Sequence, residues 1–329
     1  MSARVTILGA GVAGLCVATE LVARGADVHL VDPQPYPGAH ACSWWAGGML
    51  APFCEGETAE EPVVRLGQEA AGWWRAQGVD VHHDGSLVVA LGRDRSELDR
   101  FARRTERHDR LDGAALAEKE PHLEGRFDRA LFFPDEAHIA PRAALTHLRA
   151  RLDDLNVPVL DRHEAAGGTV IDCRGLAARD VLTDLRGVKG EMAVLRAPEI
   201  ELRRPVRLLH PRHPLYIVPR GDGVFMLGAT QIESGERGRA TLRSVTELFS
   251  AAYALHPAFG EAEILEIGVD ARPAFPDNLP RIRRRGNTIL VNGLFRHGFL
   301  LAPALARMVA ELVMDGKIPE VMDEDHGER

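Results

Sequence analysis

Apolar positions at the start of the chain change period twice within thirty residues. Residues 4–8 (RVTIL) form a short apolar run ended by glycine, and Val12, Leu15, Ala18, Leu21 and Val22 then recur at helical spacing. Gly25 closes that helix, and Val28, Leu30 and Val31 supply a second apolar run ending at Asp32. The pattern predicts strand, tight turn, helix and strand, a βαβ unit. The proline cluster Pro33, Pro35 and Pro37 stops it.

Farther on, residues 86–91, 157–160, 169–171 and 288–291 read as strands, and 142–153 as a helix starting after Pro141. Residues 300–314 read as a closing helix, with a charged tail beyond Met322. Between about 187 and 268, extended segments at 192–195, 215–218 and 224–227 predominate, the last two joined by a turn at Gly221-Asp222-Gly223. The expectation is an α/β fold with an α+β substrate domain. A Rossmann-like nucleotide-binding domain, discontinuous in sequence, takes 1–80, 134–186 and 266–329; a substrate-binding domain with a mixed β-sheet takes 81–133 and 187–265.

A length of 329 residues is more than one core usually holds, which agrees with two domains. With 45% hydrophobic and 27% charged residues the chain is ordinary globular material, neither disordered nor membrane-spanning. The formal charge of −8, spread along the chain, argues against a nucleic-acid partner, and the basic cluster 281–285 reads as a solvated loop. No apolar stretch reaches spanning length and no signal peptide is read, so the expectation is a cytoplasmic protein off the membrane. Cys16, Cys42, Cys54 and Cys173 show no metal-ligand or disulfide spacing, so neither a metal nor a bridge is expected. A homo-oligomer is compatible with all of this.

Gly9, Gly11 and Gly14 spell G-x-G-x-x-G between the first strand and helix. The first glycine makes the turn, the second lets backbone approach a pyrophosphate, and the third permits close helix–strand packing. N–H groups at the helix start, around Val12 and Ala13, would face the phosphate charge, and Asp32 is placed to accept from a ribose. The motif by itself does not choose between FAD and NAD. Neither a nucleophile elbow with Ser, His and Asp nor an H-E-x-x-H segment occurs, which removes hydrolase and metalloprotease readings.

Residues 43–52 (SWWAGGMLAP), 138–142 (HIAPR), 189–191 (KGE), 216–220 (YIVPR), 272–282 (RPAFPDNLPRI) and 292–304 (NGLFRHGFLLAPA) occur in an order that resembles the glycine oxidases of thiamine biosynthesis, with D-amino-acid and sarcosine oxidases as wider relatives. The resemblance covers essentially the whole chain. It implies non-covalent FAD held between the two domains. Ser43, Ala46, Gly47, Gly48 and Met49 would approach the flavin ring, and Arg174 and Gly175 the nucleotide half. Gly298, Phe299, Leu300 and Leu301 would bring backbone N–H groups and a helix N-terminus to the flavin's pyrimidine edge, where a positive helix end stabilises the charge of a reduced flavin.

Arg272 resembles the arginine that pairs with the substrate carboxylate and Tyr216 the tyrosine that reaches it, a planar fork being suited to a carboxylate. Arg296 either assists or fixes its loop. His138 and His297 are read as structural, because a neutral amine held in line with the ring needs no general base. The chain departs from that pattern at Trp44 and Trp45 before the flavin loop, at Arg283 and at Pro214. The activity implied is oxidation of glycine or a similarly small amino acid to its imine, with O2 giving H2O2. A D-amino-acid or sarcosine oxidase, and a dehydrogenase subunit handing electrons to a partner, are the alternatives.

Overall fold

The computed structural model describes residues 3–162, 168–210 and 214–323; from residue 324 onward the charged tail lies outside them. The opening unit is as the periodicity predicts: β1 (Arg4–Leu8), α1 (Val12–Ala23) and β2 (Asp27–Val31), with β1 and β2 parallel. A short β3 (Met49–Leu50) leads into three helices, α2 (Pro52–Glu55), α3 (Glu61–Gly67) and α4 (Ala70–Ala76). Next come β4 (Ser86–Ala90), α5 (Arg95–Arg104), β5 (Asp109–Asp112), α6 (Gly113–Lys119), β6 (Arg129–Phe133) and β7 (Ala137–His138).

The chain returns to the first layer through α7 (Pro141–Asp154), β8 (Val159–Leu160) and β9 (Thr169–Asp172). It then builds β10 (Arg186–Arg196), β11 (Val206–Leu209), β12 (Leu215–Pro219), β13 (Val224–Gly228), β14 (Ile232–Glu233), α8 (Leu242–Leu255) and β15 (Glu263–Ala274). It closes with β16 (Arg281–Arg285), β17 (Thr288–Asn292) and α9 (Gly298–Asp315).

Two large sheets result. The first has the order β16-β17-β9-β1-β2-β8, parallel except for β16. The second runs β14-β10-β13-β12-β11-β4-β6-β5, with β15 also paired to β10. β15 pairs antiparallel with β10 from Glu263 to Ala274, so the domain boundary expected at 265/266 falls inside one hydrogen-bonded strand. The apolar run 86–91 has its explanation in β4, which is buried on both faces: Leu87 and Val89 join the core under α8, while Val88 and Ala90 join the core under α5.

α1 is apolar nearly all round because it is wedged between the first sheet, α7 and α9. α9 carries Pro303, which has no N–H to offer the carbonyl of Phe299 one turn earlier; Trp74 Nε1 donates to that carbonyl instead, at 2.9 Å. The basic cluster 281–285 is strand β16 rather than a solvated loop. Arg281 and Arg283 lie over the Phe275 ring at 4.7 and 4.6 Å, and Arg283 pairs with Asp184 (2.7 Å) and Asp323 (2.9 Å), so alternate residues of the strand are neutralised and packed. Among the described residues no helix is long and apolar enough to cross a membrane. All four cysteines are free.

Candidate active site

The carboxyl ends of β1, β2 and β9 meet at the glycine motif. Gly9 has φ +93°, its N–H donates to Val31 O at 2.8 Å, and a Cβ there would lie 2.8 Å from Cys173 O, so the turn accepts only glycine. A Cβ on Gly14 would collide with Gly9 O, which makes its role structural. At Gly11 a Cβ would meet only Ser43 Oγ, at 3.6 Å, so this position faces open space. Buried Asp32 accepts from the N–H of Ala10 (2.8 Å) and of Gln34 (2.9 Å), tying the motif loop to β2; a carboxylate has lone pairs left for a ribose.

Gly298 at the start of α9 would place a Cβ 3.4 Å from Val12 Cγ1, so the positive ends of α1 and α9 converge on that open space. Phe299, Leu300 and Leu301 bury their side chains in the core, leaving only backbone for a ligand. Leu301 is a correction in part: its N–H already donates to His297 O at 2.8 Å, so the free donors of this helix end precede it. Ser43 Oγ accepts from the Val12 N–H at 3.4 Å. Ala46, Gly47, Gly48 and Met49 run from this point into β3, whose Met49 pairs with His138. Arg174 is held by Asp172 and Asp180, with nitrogen–oxygen distances of 2.7 and 2.9 Å, and Gly175 O accepts from Asn292 Nδ2. The Arg174 guanidinium is therefore committed to these two carboxylates, while its backbone lies beside Gly9.

The second sheet faces this cradle with a floor of glycines. Arg207 on β11 lies directly opposite Tyr216 on β12, and Tyr216 opposite Gly228 on β13. A Cβ on Gly228 would collide with the Tyr216 hydroxyl, and one on Gly47 would lie 2.7 Å from its ring, so Tyr216 occupies a slot between the two layers. A Cβ on Gly190, the middle residue of the 189–191 motif, would overlap the guanidinium of Arg272. Arg272 donates to Thr230 O at 3.1 Å and to the Tyr216 hydroxyl, and among the described residues it has no carboxylate partner. Burial lowers the pKa of Arg272 and raises that of Tyr216, each being a group whose charged form wants a counter-charge.

The family of FAD dependent oxidoreductases matches residues 4–312. A Rhizobium etli protein assigned as the thiamine biosynthesis oxidoreductase ThiO is 54% identical over 316 residues, spanning 94% of this chain and 96% of its own. The chain belongs to the FAD-dependent oxidoreductases. A glycine oxidase of Pseudomonas aeruginosa is 27% identical, over 97% of this chain and 96% of its own. The crystal structure of a glycine oxidase from Bacillus cereus superposes with a TM-score of 0.79 at 23% identity, covering 96% of both chains, and supports the fold.

The FAD of this family fits the cradle. The Gly11 position is open, two helix N-termini point into it, and Asp32 stands at the end of β2, which is what an anionic pyrophosphate and a ribose require. Trp44 and Trp45 form a short helical turn before the flavin loop, with Arg142 over both rings at 4.8 and 5.3 Å. Trp45 fits against Gly268, where a Cβ would collide with it. Trp45 is thus accommodated by a missing side chain in the sheet.

A buried cluster beside Tyr216 went unread in the sequence. Glu55, at the end of α2, accepts from Arg207 Nη2 (2.9 Å), pairs with Arg296 Nη2 (2.7 Å) and lies 2.9 Å from His297 Nε2. Burial would raise its carboxyl, but Arg296, Arg207 and His297 outweigh that and hold it well below the usual range. Arg296 also donates to Thr58 Oγ1 at 2.6 Å, so of its two sequence readings the loop-fixing one describes what it does here. His297 is buried and its pKa lowered, chiefly by that burial. His138 is driven down to about 3 by burial, with His82, stacked on it at 4.8 Å, and Arg220 adding to the effect. Arg220, within the 216–220 motif, donates to Gly47 O at 2.6 Å and to Ile139 O at 3.3 Å, clasping β12 to the flavin loop. No local signal marks Glu55; Arg207 becomes visible only once β11 and β12 are paired.

Proposed function

We propose that this protein oxidises glycine, or a similarly small amino acid, to its imine, passes the electrons to O2 to give H2O2, and supplies the imine for the thiazole of thiamine in the cytoplasm. The observation that carries the reading is Arg272, a half-buried guanidinium without a carboxylate partner among the described residues, beside a tyrosine that packs on the flavin loop. The names of the relatives above support it.

Bound FAD supplies a two-electron acceptor. The chain's own residues supply position. Arg272 and Tyr216 take the substrate carboxylate through charge-assisted hydrogen bonds, which fixes the α-carbon relative to Gly47, Gly48 and Met49. The missing side chains at Gly47 and Gly228 leave the room that Tyr216 fills, and that at Gly190 the room that Arg272 fills. Neither histidine serves as a base: His138 is neutral and enclosed, and His297 is committed to Glu55. The substrate therefore reacts as the neutral amine, its proton having gone to solvent. Oxidation of glycine, sarcosine and D-alanine by the FAD-loaded protein, followed by peroxide release, tests the proposal. Glycine should turn over best with one peroxide per imine. A preference for sarcosine or D-alanine would move the assignment to those substrates, and dye reduction without peroxide would move it to a dehydrogenase.

A further inference from the structure

We infer that Glu55 limits the pocket to substrates with a single carboxylate. The inference rests on the reading of Arg272 as the carboxylate anchor. Three guanidinium groups gather at this end of the sheet. Arg207 stands opposite Tyr216 on the same face, Arg272 donates to the Tyr216 hydroxyl, and Arg296 is close enough to Arg272 to act on it electrostatically. Left to themselves, three such groups would favour a ligand with two or more negative charges.

Glu55 changes that selection. It engages Arg207 Nη2 at 2.9 Å and Arg296 Nη2 at 2.7 Å, taking from each arginine a donor that a second ligand carboxylate would use. Its own side chain is only 11% exposed and stays ionised, so it also repels such a group at close range with little water between. The backbone that carries it is anchored, because Glu136 Oε1 accepts from the Cys54 N–H of α2 at 2.7 Å. Of the three, Arg272 alone has no carboxylate partner among the described residues. Glu55 is thus a specificity-determining residue that acts through the two arginines it occupies.

Acetate, malonate and succinate titrated into the FAD-loaded protein, followed by the flavin absorbance change, test this, together with kcat/KM for iminodiacetate against glycine. In the parent protein neither dicarboxylate should bind tighter than acetate. Glu55→Gln keeps the shape and removes the charge, and should raise the dicarboxylate-to-acetate affinity ratio and the iminodiacetate-to-glycine ratio at least about tenfold, ~1.4 kcal/mol. Adding Arg207→Met to that variant should reverse most of the gain. General loosening would weaken all ligands together and leave these ratios alone. Dicarboxylates that bind the parent about tenfold tighter than acetate would overturn the inference without any variant, and so would ratios in Glu55→Gln within about twofold of the parent. Acetate binding that does not depend on Arg272 would instead overturn the anchor reading, and the inference with it.

Discussion

Replacing Arg272 by alanine should leave the fold and the FAD in place while removing most turnover at limiting glycine. Arg272 sits on β15, away from the glycine motif, and its protein partners are the Thr230 carbonyl and the Tyr216 hydroxyl, both neutral. Without it, a substrate carboxylate keeps one neutral donor, the Tyr216 hydroxyl. Removing one partner of a buried, hydrogen-bonded charge pair costs roughly 2–5 kcal/mol. At about 1.4 kcal/mol per tenfold, the expected loss in kcat/KM is about 30-fold to several thousand-fold. Lysine should restore only part, since it carries charge without the planar fork. Gly190→Ala approaches the same contact from the other side: its Cβ would overlap the guanidinium, so activity should fall although every charge remains. Steady-state kinetics with glycine and with an amine lacking a carboxylate separate anchoring from general damage, because the second substrate never used the contact. If both variants oxidise glycine within about threefold of the parent, a change well below 1 kcal/mol, the reasoning about Arg272 is refuted.

Gly11→Val should yield a folded, colourless protein, because its Cβ meets only Ser43 Oγ, at 3.6 Å, and the branched side chain takes the space a pyrophosphate needs; flavin absorbance and circular dichroism report the two properties separately. Gly14→Val should fail to fold at all, since its Cβ collides with Gly9 O. Trp74→Phe leaves the Phe299 carbonyl buried and unpaired and should cost about 1–3 kcal/mol in urea unfolding. Adding Pro303→Ala should recover part of it, by restoring the helical N–H to that carbonyl. Burial pushes the Glu136 carboxyl up to about 7, against hydrogen bonds from Ser86 and Cys54 that lower it. The folded state therefore binds this proton more tightly than the unfolded chain does. Glu136 should make stability fall as pH rises from the unfolded carboxyl range to about 7 and level off above, by up to about 3 kcal/mol. Glu136→Gln should flatten that slope between pH 5 and 7. Glu55 does not interfere in this window, because its depressed pKa costs stability only at lower pH.

Much of this protein was written in local periodicity. β1, α1 and β2 follow from apolar spacing over thirty residues, and Gly14 answers a steric demand from the Gly9 carbonyl five residues away, whereas the backbone that crowds Gly9 is that of Cys173, on a distant strand end. Arg272 and Tyr216 were legible through the segments that contain them. What sequence could not decide is which distant side chains meet. The pairing of Arg207 with Tyr216 depends on the register of β11 against β12, and Glu55 reaches Arg207 across 152 residues of chain. The continuous pairing that carries β15 past the expected boundary is likewise a property of β10, about eighty residues earlier by position in the chain. The basic run 281–285 looked solvated because the counter-charges of Arg283, Asp184 and Asp323, are remote in sequence and adjacent only after folding. Local backbone preference and apolar period act over a few residues, whereas a charge cluster in a low-dielectric pocket is set by sheet register and layer packing, and these exist only in the tertiary structure.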